Sequence, residues 1–407
     1  MANPGSLGAI TYEIEASFGV DTTTFSTLRL PITAPIDASG LVHEKVDSQR
    51  VVQYRNDGSA WILGTMGGSF KTKLHLPGHG STTSGAVTLT GVETLLGYVF
   101  GNAASSASSG TTFTGGTATA GTTTASGTFS AGGICFAGAL GDARGNGQAA
   151  AISTHVATTL NLLTALSGSP NNADVLYSAV NIYPSESPTS TTVQSLRFLL
   201  QTANLMYECH GCFPTAVSIS GLNAGELPTI EITWAVAWWR YSTSTFPSSV
   251  STEANNPGAV AAGSLFLNDV GTATRATRTY RSFQVDYTLG METLMGPGGV
   301  NQYQKIVGCR RTLDAIKVTW TEDADAATTT PVLPGYGTAT TRKHALYTSS
   351  TGAGSRIALY FPNLAISNVA IQKIDQNLNR LTTEAMAYTG STTTSDLTLS
   401  AMRLAFA

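Results

Sequence analysis

Charge is what this sequence has least of. Asp, Glu, Lys and Arg make up 12% of its 407 residues, about half the usual share. With a net charge of −3 and no basic block, it lacks the clustered Lys and Arg of a protein that grips nucleic-acid phosphates. A protein past which DNA must slide without sticking should share that lack. Cysteine is scarce as well. Cys135, Cys209, Cys212 and Cys309 are scattered through the chain, which excludes the disulfide frameworks of small secreted domains. The opening Met1-Ala2-Asn3-Pro4-Gly5 has neither the basic start nor the apolar run of a signal peptide. The longest strongly apolar stretch, Trp234 to Trp239, is a strand's length and not a membrane span. Synthesis in the cytoplasm, with no membrane as partner, is the expectation.

Gly (42 residues), Thr, Ser and Ala fill the space that charge leaves, beside an ordinary hydrophobic fraction of 42%. Thr and Ser suit exposed strand faces and Gly suits turns, so the composition points to a mainly β fold. A surface so poor in charge is better suited to being covered by neighbouring subunits than to a free monomer. Amphipathic helices are few: Gly91 to Phe100, with Leu95, Leu96 and Val99 on one side, and Ile366 to Arg380. Elsewhere short apolar or alternating runs are broken by Gly, Pro, Asn and Asp at strand-and-turn spacing. Leu28 to Ile32, Ser69 to Leu76, Val217 to Ile219, Thr229 to Trp234, Ala315 to Trp320 and Ile357 to Phe361 are such runs. In Thr229 to Trp234, Ile230 and Ile232 share one face and Glu231 and Thr233 the other, which predicts a half-buried strand.

From Gly101 to Gly133 only Asn102, Phe113 and Phe129 interrupt Gly, Ala, Ser and Thr. A flexible linker is one reading. The Thr-rich context, with Phe113 and Phe129 as anchors, instead favours a small inserted β-domain over 111–183, including the turn Gly141 to Gly147 and the strand Thr159 to Leu166. A second low-complexity stretch, 242–263, reads as a linker. The expected organisation is a first β-domain from 1–110 and 184–241, the insert, the linker, and a second β-domain over 264–407. Weak echoes support an internal duplication: Gly211-Cys212 before Thr229–Trp234, Gly308-Cys309 before Ala315–Trp320, and strands ending in Pro at Pro77 and Pro362.

Candidate chemistry is mostly declined. Cys209-His210-Gly211-Cys212 offers two thiolates for a metal, but no second CxxC exists and Phe213 stands where haem attachment needs His. Cys212 is expected to pack as a small apolar side chain at a strand start. His43, His75, His79, His155, His210 and His344 form no catalytic order. No GxSxG elbow or P-loop exists, and no acid/base constellation supports a β-rich hydrolase or lyase. Gly145-Asn146-Gly147-Gln148-Ala149-Ala150 fits a dinucleotide pattern without a βαβ unit and reads as a Gly-rich turn. Thr321 to Asp325 reads as a solvated loop rather than a cation site. No catalytic, cofactor or metal residue is assigned. Trp234, Trp238, Trp239 and Tyr241 are expected in the core and at an inter-subunit contact. A carbohydrate platform is the alternative, and would make the chain a β-sandwich receptor- or glycan-binding virion protein or adhesin.

The stretch from Ser126 to Trp239 resembles phage tail tube proteins. The likeness rests on Gly211-Cys212-Phe213-Pro214 through Ile219, then Gly221, Ala224-Gly225 to Pro228, then Ile230 to Trp234. The opening Glu15 to Asp21 and the ending from Leu359 to Phe406 are similar to that family too, whereas 264–310 match poorly. Gly225 and Pro228 mark the looped hairpin between the two central strands. The resemblance implies β-sandwich or barrel tube domains, no enzyme, and no cofactor. It implies self-assembly into stacked rings that form a conduit for DNA ejection. The partners implied are the chain itself, the tape measure, terminator and distal tail proteins, and genomic DNA passing unbound through the lumen. The chain would be made in the host cytoplasm and reside in the virion tail. If both halves are tube-like, three chains rather than six make a pseudo-six-fold ring. Lumen-facing strands are expected to carry Asp and Glu rather than Lys clusters, with Glu231 as the candidate, and the insert is expected to face outward.

Overall fold

The alternation seen in Thr229 to Trp234 runs through most of the computed structural model, and strands dominate it. The structure describes residues 8–19, 29–47, 51–52, 55–56, 61–76, 91–101, 111–124, 129–137, 148–172, 174–185, 195–202, 205–242, 246, 260, 262–273, 277–297, 304–324, 342–350, 356–374, 379–389 and 396–406. The first strands are β1 (Ala9–Ile14), β2 (Leu41–Asp47), β3 (Val51–Val52), β4 (Arg55–Asn56) and β5 (Trp61–His75). Helix α1 (Gly91–Phe100) follows, and buries Val92, Leu95, Leu96, Val99 and Phe100 as its spacing predicts.

One antiparallel sheet spans the molecule. From one edge its strands are the segment 32–40, the second half of β5, β15 (Thr229–Val236), β14 (Leu205–Ser220), β19 (Ser282–Thr288), β22 (Ala315–Asp323), β25 (Asn379–Ala387) and β24 (Ile357–Lys373). The edge segment joins through the bridges Ile32↔Leu74 and Asp37↔Lys71, then runs on into β2. In β15, Ile230, Ile232, Trp234 and Val236 point into the core and Glu231, Thr233 and Ala235 away from it. In β22, Ile316, Val318 and Trp320 do the same. One covered face and one open face account for this period of two.

β14 and β24, at 16 and 17 residues, are long because each serves two layers. Up to Cys212, β14 pairs with β13 (Leu196–Thr202) and β16 (Trp238–Tyr241); from Phe213 on it pairs with β15 and, past a register shift at Pro214/Ala216, with β19 as well. Up to Leu364, β24 pairs with β23 (Lys343–Ser350) and β26 (Arg403–Phe406); from Leu364 on it pairs with β25, through a shift at Ile366/Asn368. Bulges bend a strand and so carry it from one layer to the other. Gly211 assists in β14, since its φ of +59° is a left-handed conformation that side chains resist. The core between the layers runs unbroken from Ile10 and Phe70 in the first half to Trp320 and Leu404 in the second.

The strand order of the first half recurs in the second. β1 pairs with β13, β13 with β14, β14 with β15 and β16, and β15 with β5. In the same order β17 (Ala262–Asp269) pairs with β23, β23 with β24, β24 with β25 and β26, and β25 with β22. The hairpin of β2 with the first half of β5 has its counterpart in β20 (Met291–Pro297) with β21 (Gln304–Arg311). The echoes noted in the sequence do not follow this correspondence. Thr229–Trp234 lies on β15, whose counterpart is β25, and Ala315–Trp320 lies on β22, whose counterpart is β5. Gly211-Cys212 lies in β14 but Gly308-Cys309 in β21.

Between α1 and β13 the chain builds a closed six-stranded barrel: β6 (Thr111–Thr117), β7 (Ala120–Thr123), β8 (Ile134–Ala137), β9 (Ala149–Val156), β10 (Thr159–Leu162) and β11 (Val175–Ser178). Phe113, Phe129, Cys135, Ile152, Leu160 and Leu176 fill it. A barrel this small has room only for side chains, and Gly121 lets the Phe113 ring lie against its backbone. The opposite faces of β8 and β9 (Ile134, Phe136, Ala149, Ala151) pack on Phe266, Leu346, Ala358, Tyr360 and Ala405 of the second half. β12 (Val180–Ile182), placed in the insert by the sequence reading, instead pairs with β26. β17 begins at Ala262, inside the supposed linker, most of which lies outside the described residues.

Two further expectations are corrected. Ile366 to Arg380 is not a helix: β24 continues to Lys373 and β25 starts at Asn379. Thr321 to Asp323 belong to β22 and not to a loop. The second residue of that run, Glu322, is buried against Arg278 of the short strand β18 (Thr277–Arg278), at 2.9 and 2.8 Å.

Candidate assembly interface

The open face of the spanning sheet carries a row of charged and polar residues that crosses every strand. It begins at Asp37, opposite Lys71. Lys71 lies 3.4 Å from Glu231. Glu231 is opposite Ser218, and Ser218 is opposite Asp286, to which its hydroxyl donates at 2.7 Å. Asp286 is opposite Lys317, Lys317 lies 2.7 Å from Glu384, and Glu384 is opposite Asn368. The row therefore reads Asp–Lys–Glu–Ser and then Asp–Lys–Glu–Asn. The first four positions lie on the edge segment, β5, β15 and β14, and the second four on β19, β22, β25 and β24. These are the strand counterparts already derived from topology, so the two observations agree on one residue-level alignment.

Hydrogen bonds from Ser39 hold the Asp37 carboxyl below the usual range, with Lys71 adding to the effect. The ammonium of Lys317 does the same for Glu384. Asp323, next along β22, is held down by Arg281 and faces Arg380. Acids and bases thus alternate across the face that carries Glu231. Thr72 and the other core-facing residues lie on the opposite side, where the indole of Trp234 donates to the Thr72 hydroxyl at 2.9 Å.

Where the two halves meet, β14 is paired with β19, and Val217 and Ile219 are buried. At the far edge the counterpart stretch of β24 has no strand beside it among the described residues. Its residue equivalent to Ile219, Val369, is half-buried, and Ile371 is 57% exposed. The first edge, residues 32–40, is likewise unpaired on its outer side among the described residues. Every neighbouring pair in the sheet is antiparallel, so the two edges run in opposite directions.

No protein-family model matches this chain, and no curated protein is significantly similar to it.

The other residues singled out in the sequence are dispersed. Glu231 lies on the open face, in the row above. Gly225 (φ +84°) and Pro228 lie in the loop joining β14 and β15, where the Pro228 carbonyl accepts from the Leu76 amide. The four aromatics form no single platform. Trp234 is in the core against Phe70 and Phe198, Trp239 is buried against Tyr207, and Trp238 stacks on His210 with centroids 3.8 Å apart. Tyr241 is the exposed one, at 62%.

Cys209 and Cys212 lie within β14 and are fully buried, not at a strand start. Burial and the neighbouring Cys209 push the Cys212 thiol well up, so it is held as a thiol, which is neither nucleophile nor good ligand. Among the described residues no group of three or more His, Cys, Asp or Glu is placed to hold a metal. His210 is buried between Glu208 (3.1 Å) and Glu15 (3.7 Å). Burial raises the Glu208 carboxyl, but hydrogen bonds from Arg240 and Arg197 outweigh it and the net shift is downward. Glu15 accepts from the Gly211 and Gly19 amides and the Ser195 hydroxyl. This network ties the N-terminal segment to β14 and leaves no open site. Gly145 to Gly147 and His79 lie outside the described residues; Ala149 begins strand β9, so no helix follows the glycines to receive a pyrophosphate. Among the described residues no helix is long and apolar enough to cross a membrane.

Proposed function

We propose that this chain is a structural subunit that assembles with itself into closed rings, and that stacked rings form the tail tube of a bacteriophage. One observation carries the reading: two copies of one strand motif lie side by side in a single sheet, joined by a strand pairing whose equivalent is open at both outer edges among the described residues. Open edges on a long sheet are a liability that proteins normally cover. Here a second copy of the same chain covers them, because repetition of an internal join closes a ring.

Strand geometry favours three copies. Each spanning sheet contributes eight strands. Closed at a spacing of ~4.8 Å and a tilt of ~40°, three copies give a backbone diameter of about 48 Å and, less side chains, a bore of about 38 Å. Two copies leave about 22 Å by the same reckoning, too tight for duplex DNA and its hydration. The open face then lines the bore, with Ser, Thr and acids set among the lysines, so that no purely cationic cluster for phosphates lies on it among the described residues. The barrel, packed on the layer behind that sheet, faces outward.

Electron microscopy of the purified protein, combined with native mass spectrometry, tests this. Rings or tubes with three chains per ring are expected. A protein that stays monomeric at high concentration, or rings of six chains, would overturn the proposal in its assembly or its stoichiometry respectively.

A further inference from the structure

We infer that the edge of β24 around Asn368 docks against the 32–40 edge of a second copy in one defined register, with Asn368 opposite Asp37 of that copy. The inference rests on the ring reading above and specifies its contact. The register comes from the join that the chain makes with itself. Ser218 and Asn368 occupy the same place in the two repeats, each opposite a Glu (Glu231 and Glu384) on the next strand. Asp286 and Asp37 do too, each opposite a Lys (Lys317 and Lys71). Within the chain, Ser218 stands directly opposite Asp286 and hydrogen-bonds to it. Carried to the outer edges, the same operation sets the Asn368 amide as donor against the Asp37 carboxylate.

Three further features fit that contact. The edges run in opposite directions, so the added pairing is antiparallel like the internal one. The internal join spans four residue pairs, from Ala216↔Thr288 to Ile219↔Val285, and a short seam is what the second edge can offer, since Pro31 and Pro35 keep it irregular. Val369, left half-exposed at the β24 edge, falls in this register opposite Ile36, the counterpart of Val285, so two apolar side chains meet as Ile219 and Val285 do inside the chain. Around the ring the row then closes on itself as Asp–Lys–Glu–(Ser or Asn), and Lys73, opposite Glu231, adds one further lysine per chain on the same face. Four acids (Asp37, Glu231, Asp286 and Glu384) against three lysines (Lys71, Lys73 and Lys317) leave the belt slightly negative, which disfavours capture of a phosphate backbone.

Paired cysteines read the register directly. Residues opposite one another on antiparallel strands have Cα atoms about 4.5–5.5 Å apart, within disulfide reach. The native cysteines are all buried and do not compete. The double variant Asp37→Cys with Asn368→Cys, oxidised after assembly, is expected to give covalent species of up to three chains on a denaturing gel. Each single variant, and Asp37→Cys with Gln372→Cys, is expected to give none. Both target positions are exposed, and circular dichroism checks the fold. Tubes in the micrographs without cross-links, or with cross-links only through Gln372→Cys, would overturn the register and leave the tube reading standing. Absence of rings and tubes in the wild-type protein as well would overturn both. As a second measurement, Asn368→Asp sets like charges face to face and is expected to abolish tube formation at low salt, with Asp37→Asn restoring it; unaffected assembly would count against the contact.

Discussion

Replacing Gly211 by Ala should be among the most damaging small changes in the chain. Gly211 sits in the long strand that changes layers, with φ at +59°. A side chain in the left-handed region costs about 1–2 kcal/mol. A Cβ there would also stand 2.6 Å from the Ala237 Cβ and 2.9 Å from the Phe18 ring. Forcing an extra methyl into such a contact costs about 1–3 kcal/mol more. The expected loss is therefore about 2–5 kcal/mol. Gly225 provides the control, because its φ of +84° is also left-handed but nothing lies within 4 Å of its Cβ. Gly225→Ala should lose only the backbone part, about 1–2 kcal/mol. Thermal unfolding followed by circular dichroism on unassembled protein, at about 2 °C per kcal/mol for a chain this large, separates the two. Adding Ala237→Gly to Gly211→Ala relieves the nearer contact, so the double variant should be more stable than the two single losses predict. Equal shifts for the two glycines, together with additive losses in the double variant, would refute the steric argument.

Glu322→Ala leaves the buried Arg278 guanidinium without its carboxylate and should cost about 3–5 kcal/mol in chemical denaturation. Gly121→Val drives a side chain into the Phe113 ring and should open the barrel selectively. Hydrogen exchange would then rise within 111–178 while β14, β15 and β22 keep their protection. His344 is buried, and burial lowers its affinity for a proton below the usual imidazole range. Its contribution to stability is therefore complete above about pH 6.5 and declines as the pH falls from there toward the lowered folded value. A melting temperature that drops between pH 7.5 and 5.5, with a smaller drop in His344→Asn, is the expected result.

The mainly β class was legible because Thr229 to Trp234 and Ala315 to Trp320 alternate over a covered face, and α1 because Leu95, Leu96 and Val99 fall on one side of a helix. Ile366 to Arg380 misled for a physical reason. The bulge at Ser367 shifts the period of two by one residue, and at an uncovered edge both faces of a strand tolerate mixed residues, so apolar positions came to mimic helical spacing. The recurrence of strand order left almost no trace in apolar identity, since cores accept many side chains of similar volume. What the repeats share is Lys71 with Lys317 and Glu231 with Glu384, single charges that carry no pattern until the strands are laid side by side. For that reason Glu231 stood out alone in the sequence. Its neighbours Asp37, Lys71, Ser218 and Asp286 are set by register between distant segments, which spacing along the chain does not encode.

The join between β14 and β19 also bears on how fast assembly begins. Half of the joins in the proposed ring form within a chain, where tethered strands meet at an effective concentration of the millimolar order regardless of how dilute the protein is. Only the remaining joins depend on collision, and a ring of three needs far fewer encounters than a ring of six separate repeats. Fusing two repeats thus lowers the concentration at which a first ring nucleates, while the two free edges still allow it to be withheld until a second chain arrives.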